Sequence, residues 1–239
     1  MKKFLFLGNS HTYFNDMPEL FARLYRAGTG EDAEAVMLSH PGRTWEWHEK
    51  EAYELRYNLL YGHYDWCFLQ QAAHPFPGEK TTRECGKYLL DLCRFVDTQP
   101  VLVETWARKT EPQNQEEMNR VYRSMSAEYR CALSTVGEIW QTVRKNCPEL
   151  ELYFEDGAHA SVYGDYLIAC CHYRTVTGSS VQMLPEYGID FSRFRAAADR
   201  NEITVSAVRA EETALDAGFC REIKRAVDAG IAGTAENGR

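Results

Sequence analysis

Five short polar clusters hold the residues of this 239-residue chain that are equipped for chemistry. They are Gly8-Asn9-Ser10-His11-Thr12, Ser39-His40-Pro41-Gly42-Arg43-Thr44, Gln70-Gln71-Ala72-Ala73-His74, Thr105-Trp106-Ala107-Arg108 and Glu155-Asp156-Gly157-Ala158-His159. Acyl transfer asks for a hydroxyl nucleophile, an imidazole base, a carboxylate to orient the base, and hydrogen-bond donors for an oxyanion. Ser10, His159, Asp156, the turn glycine Gly42 and the amides Gln70 and Gln71 supply one of each kind or more. Taken singly, each has an ordinary structural explanation. Ser10 can cap a turn, Asp156 can cap a helix, His159 can be a surface histidine, and the glutamines can satisfy strand-end backbone groups. Their joint placement carries the argument, because each cluster follows an apolar run of strand length.

Those runs define the elements that must position the clusters. Short apolar segments alternate with longer amphipathic ones, the pattern of βαβ units around a parallel sheet. Strands are expected at Lys3–Leu7, Glu34–Leu38, Asp65–Gln70, Pro100–Thr105 and Glu151–Phe154. Helices are expected at about Asp16–Ala27, with Asp16 as N-cap and Gly28 as stop, then at Trp45–Leu60, Thr82–Val96, Asn114–Leu133, Glu138–Lys145 and Val162–Val176. A final helix is expected over about 211–229, followed by a frayed tail at 230–239. The fold class is α/β, a three-layer α/β/α doubly wound parallel sheet of about five strands in a single domain spanning 1–239. In such a fold ligands bind at the carboxyl ends of the strands, where all five clusters fall.

Composition narrows the function classes. With 27 Lys and Arg against 35 Asp and Glu the net charge is −8, and 44% of residues are hydrophobic, as in ordinary globular proteins. Phosphate binding needs a clustered basic surplus, so no nucleic-acid partner is expected. No apolar run reaches the roughly 18–20 residues that span a bilayer, so no membrane partner is expected either. The apolar stretch Phe4–Leu7 is too short for a secretory signal. A cytoplasmic location is therefore expected, with the eight cysteines reduced and buried.

The segment Phe6-Leu7-Gly8-Asn9-Ser10-His11-Thr12-Tyr13 resembles the first block of the SGNH (GDSL-like) hydrolases, in a variant where Asn replaces the usual Asp. Asp156-Gly157-Ala158-His159 resembles their last block, Asp-x-x-His, and Gly42 falls where the second-block glycine would fall. The stretch Gly8 to Asp16 is similar to that of uncharacterised bacterial SGNH-like proteins reading Gly-Asn-Ser-x-Thr-Tyr-x-Asn-Asp. The resemblance implies an esterase in which Ser10 attacks the carbonyl, His159 takes its proton and Asp156 orients the imidazole. It also implies an oxyanion hole built from the Ser10 and Gly42 N–H groups and an Asn side chain after strand three. This chain has no Asn there, so Gln70, with Gln71 close behind, is expected to substitute.

Trp45, Trp47, Trp106, Tyr13 and His74 offer flat surfaces near the strand ends, and Asn9, Arg43 and Arg108 offer polar contacts. Asn9, Trp106, Arg43 and His74 are the expected substrate-binding residues. Aromatic platforms with polar neighbours suit a sugar ring, so the expected substrate is a small or carbohydrate ester, with an O-acetyl group favoured. No cofactor or metal is expected: Gly28-Thr29-Gly30-Glu31-Asp32-Ala33 spells a dinucleotide fingerprint but follows a helix, the wrong context. No Walker A loop, H-E-x-x-H or Cys-x-x-Cys occurs. Two rival readings remain: a binding or sensing module that keeps the fold without turnover, and a flavodoxin-like protein.

Overall fold

The computed structural model describes residues 1–190 and 211–231. Its sheet has five strands: β1 (Lys2–Gly8), β2 (Ala33–Ser39), β3 (Trp66–Gln70), β4 (Gln99–Val103) and β5 (Ala132–Ser134). They lie in the order β2-β1-β3-β4-β5, all parallel. Helices fill the connections: α1 (Ser10–Tyr13), α2 (Met17–Thr29), α3 (Trp45–Lys50), α4 (Ala52–Gly62), α5 (Glu79–Phe95), α6 (Gln115–Tyr129), α7 (Val136–Asn146) and α8 (Val162–Thr177). A small antiparallel pair, β6 (Tyr187–Ile189) and β7 (Glu212–Ala214), precedes α9 (Ala217–Ile231).

Side chains alternate across each strand, so the sheet splits the core into two halves. Phe4, Phe6, Phe68, Val101 and Val103 point to one face and pack against α2, α7, α8 and α9. Leu5, Leu7, Cys67, Leu69 and Leu102 point to the other and meet α3, α4, α5 and α6. Phe6 stacks on Phe68 at 4.8 Å, and Phe68 on His172 at 4.4 Å, which fastens α8 beneath β1 and β3. Gly8 pairs with Ser39 and Leu7 with Leu69, so the carboxyl ends of β1, β2 and β3 finish together. The chain leaves β1 in one direction to β2 and in the other to β3. Ligands bind beside such a switch in strand order, and Ser10 follows β1 there.

The expected three-layer parallel fold is the observed one, with corrections to its elements. The fifth strand is Ala132–Ser134, not Glu151–Phe154, which contributes only a single bridge between Tyr153 and Ala160. The helix expected to run to Leu133 ends at Tyr129, where Arg130 turns left-handed at φ 50°. Trp45–Leu60 is two helices, broken at Glu51 without glycine or proline. The α2 stop is Gly30 (φ 72°), two residues beyond Gly28. The last helix starts at Ala217 rather than near 211, and Gly230 still belongs to it; 232–239 of the expected tail lie outside the described residues.

Candidate active site

Strand β1 delivers Ser10 through a close-packed turn. A Cβ on Gly8 would lie 2.3 Å from Thr12 Oγ1 and 2.4 Å from Gln70 Oε1, so only glycine fits this strand end. Asn9 then caps α1: its Oδ1 accepts from the His11 N–H at 3.0 Å, and its Nδ2 donates to the Arg43 carbonyl at 2.9 Å. The Asn9 N–H donates to Gln70 Oε1 at 2.9 Å, and the Thr12 hydroxyl donates to the same oxygen at 2.8 Å. Buried His48 bonds the Gly8 carbonyl through Nε2 at 2.8 Å, fixing α3 against the same turn. A neutral ring donates there, and burial holds its pKa low.

The base arrives on the turn after Tyr153. Asp156 Oδ1 accepts from the N–H groups of Ala158 and His159, both at 2.9 Å, and Oδ2 lies 2.5 Å from His159 Nδ1. Gly157 takes φ 66° to close the turn. Partial burial alone would raise the Asp156 carboxyl, but the bonds from His159 and the two backbone N–H groups outweigh it and bring the pKa down to about 2. An ionised carboxylate only accepts, so it fixes the proton on His159 Nδ1 and leaves Nε2 with its lone pair. Nε2 lies 2.8 Å from Ser10 Oγ, within reach of the hydroxyl proton. The three side chains thus form one unbroken hydrogen-bonded line.

Two further links join these halves. Asn15, in the left-handed region at φ 49°, donates from Nδ2 to the Ala160 carbonyl at 3.2 Å and to Asp165 Oδ2 at 2.6 Å. Burial pushes the Asp165 carboxyl well above the carboxylate range, against the opposing Asn15 bond. The second link is aromatic. The His159 ring stacks on His11, at 4.8 Å, and on Phe14, at 4.6 Å, each inclined to it by only 23°. His11 also meets His74 at 4.8 Å and Trp106 at 5.3 Å.

The residues expected from sequence fall into two groups. Ser10, His159 and Asp156 come together, and Gly42 occupies an exposed turn at φ 67° with open space where a Cβ would stand. Neither the Ser10 nor the Gly42 N–H has an acceptor among the described residues, so both remain available as donors. Arg43 is exposed and lies over the Trp47 ring at 5.1 Å, while His74 is half-buried, its pKa lowered to about 4 by burial and by Arg108.

The other expected residues, Gln70, Gln71, Asn9 and Trp106, lie inside the protein. Gln70 is buried, its Oε1 holding Asn9 and Thr12 and its Nε2 bonded to the Gln71 carbonyl, so it braces the nucleophile turn. Gln71 is fully buried and accepts from the Trp45 and Ala72 N–H groups, tying α3 to β3. Asn9 uses both ends of its amide as a cap and is 3% exposed, and Trp106 is buried, donating to the Ala158 carbonyl and stacked on Trp140 at 4.5 Å. The Asn9 and Gln70 amides and the Trp106 indole are thus engaged inside the protein, whereas Gln71 Nε2 is buried without a partner among the described residues. His11, Phe14, Asn15, His48 and Asp165 escaped sequence reasoning, because their partners lie tens of residues or more away along the chain.

No group of three or more His, Cys, Asp or Glu among the described residues could hold a metal ion, and no described helix is long and apolar enough to cross a membrane. No family model and no curated protein matches the chain by sequence. Solved structures match it by fold. A DUF4886 family protein from Bacteroides uniformis superposes with a TM-score of 0.62 at 16% identity, covering 96% of this chain and 94% of that one. A variant of an acetyl xylan esterase from Geobacillus stearothermophilus gives 0.60 at 16%, covering 74% and 94%. A lipase/acylhydrolase from Enterococcus faecalis gives 0.57 at 18%, covering 74% and 96%. At these identities the likenesses show that the chain shares the α/β fold of those proteins.

Proposed function

We propose that this SGNH-type chain is a serine ester hydrolase working through an acyl-enzyme. The observation that carries the reading is the line Ser10 Oγ, His159 Nε2, His159 Nδ1 and Asp156 Oδ2, with spacings of 2.8 Å and 2.5 Å at its two hydrogen bonds. Ser10 Oγ attacks the ester carbonyl while His159 Nε2 accepts its proton, and Asp156 stabilises the imidazolium. The Ser10 and Gly42 N–H groups receive the oxyanion. Collapse of the tetrahedral adduct expels the alcohol, which takes the proton back from His159. Water, giving its proton to the same imidazole, then attacks the acyl-serine carbonyl; as the new adduct collapses, His159 returns that proton to Ser10 Oγ and the acid is released.

An O-acetyl group on a carbohydrate is the favoured substrate. Supporting this are the fold likeness to an acetyl xylan esterase and exposed Arg43 lying over half-buried Trp47, with the Arg43 carbonyl held by Asn9 next to Ser10. Flat aromatic faces with polar neighbours suit sugar rings. The reading is tested with p-nitrophenyl acetate and a panel of acetylated sugars followed by acetate release, alongside a serine-reactive phosphonate. Wild type is expected to turn over and to be labelled at Ser10, and Ser10→Ala to do neither. Equal inertness of both proteins toward every acetyl ester and toward the phosphonate rejects it.

A further inference from the structure

The Asp156–His159 turn lies at the protein surface: the aspartate side chain is 42% exposed and the histidine side chain 23%. A histidine side chain at the surface can turn about its Cα–Cβ and Cβ–Cγ bonds, and each turn moves Nε2 relative to Ser10. Two rings remove that freedom. His11 and Phe14 both stack on His159, with ring planes within 23° of the imidazole plane and centroids 4.8 Å and 4.6 Å away. Both rings come from the segment that carries Ser10, one and four residues beyond it, so nucleophile and base are registered by one short stretch of chain.

That stretch is itself rigidly held. The His11 N–H is bonded to the Asn9 cap, and the His11 ring contacts buried Trp106, whose indole donates to the Ala158 carbonyl next to His159. Phe14 meets Phe154, at the start of the catalytic turn, edge-on at 5.0 Å. Asn15 anchors the next residue to Ala160 and Asp165. Burial keeps the His11 pKa well below its ordinary value, so the ring presents a neutral π face to His159. A neutral aromatic face also favours the imidazolium that forms when Ser10 is deprotonated.

We infer that His11 and Phe14 are positioning residues that clamp the His159 ring and fix its plane for proton transfer from Ser10. The role belongs to the flat surface of His11, not to its nitrogens. This inference rests on the esterase reading, and its test separates the two. Kinetics with p-nitrophenyl acetate are compared for wild type, His11→Ala, His11→Phe and Phe14→Ala, with thermal unfolding as a check on folding. Displacing a reacting group by about 1 Å costs on the order of a hundredfold in rate. His11→Ala and Phe14→Ala are therefore expected to lose roughly ten- to a hundredfold in kcat, with KM little changed. His11→Phe, which restores a ring without a nitrogen, is expected to recover most of that loss.

A His11→Ala protein with unchanged kcat overturns the clamp. So does a His11→Phe protein as slow as His11→Ala, which would place the role in the imidazole nitrogens. If His11→Ala fails to fold, Phe14→Ala and His11→Phe still decide the matter through kcat. If wild type proves inert toward esters and phosphonate, the esterase reading falls first. The clamp is then read from the downfield proton resonance of His159 Nδ1–H: present in wild type and His11→Phe and lost in Phe14→Ala if the clamp holds, unchanged in Phe14→Ala if it does not.

Discussion

Glu104 follows strand β4 directly and is completely buried, with Oε1 accepting from the Glu138 N–H at 2.8 Å and Oε2 without a partner among the described residues. Burial dominates its titration: the pKa rises from the ordinary 4.5 to about 8, the bond from Glu138 only partly offsetting this. The folded-state value lies above the unfolded one, so the unfolded chain loses this proton first as pH rises. The stability that the neutral carboxyl contributes is complete below about pH 4.5 and drains away up to about pH 8. At about 1.4 kcal/mol per pH unit between the two values, the fold loses about 3 kcal/mol between pH 5.5 and 8.5 through this group. Glu104→Gln cannot ionise and removes that slope. Its unpaired N–H2 costs about 1–3 kcal/mol, but at every pH alike, so the pH-dependent difference between the two proteins survives. Urea unfolding at a series of pH values, each extrapolated to water, measures it. If the wild-type and Glu104→Gln stability curves run parallel, shifting by less than about 1 kcal/mol between those pH values, Glu104 is not the buried neutral carboxyl described here.

Asp156→Asn is expected to preserve the turn, since Oδ1 still accepts two N–H groups, while placing an N–H2 against His159 Nδ1. The wrong tautomer then faces Ser10, and kcat for ester hydrolysis should fall by about 10⁴, as in other Ser-His-Asp enzymes; a loss below tenfold contradicts the role given to Asp156. Gly8→Ala forces a Cβ to within 2.4 Å of both Thr12 Oγ1 and Gln70 Oε1. It is expected to destabilise the fold by about 1–3 kcal/mol and to slow phosphonate labelling of Ser10; a variant with wild-type Tm and labelling rate would show that the turn yields freely.

Strand β1 and the cluster after it were legible because a compact apolar run, a glycine and a chemically distinctive tripeptide coincide within ten residues. Asp156 and His159 were legible for a similar reason, since a carboxylate three positions before an imidazole closes its own local turn. What stayed hidden was set by distance. Nothing local announces that Gln70 turns inward to hold Asn9 and Thr12, or that His11 and Phe14 meet a ring some 145 residues further on. Strand β5 was misread because its three residues follow α6 without a breaker: Arg130 takes the left-handed turn that glycine usually marks. The stretch Glu151–Phe154 has strand-like residues, yet Tyr153 finds only Ala160 as a partner.

Ser10 and His159 stand 149 positions apart in the chain. A polypeptide emerging from synthesis holds Ser10 early and His159 only after all five strands of the parallel sheet and most of the described helices have been made. Under the proposed esterase reading, Ser10 gains its base only once α8 docks and Asn15 meets Ala160 and Asp165. On refolding, secondary structure can recover through local contacts, whereas the competence of Ser10 waits on the slowest kind of contact the chain must make. Under that reading, phosphonate labelling of this one hydroxyl would time the completion of the fold.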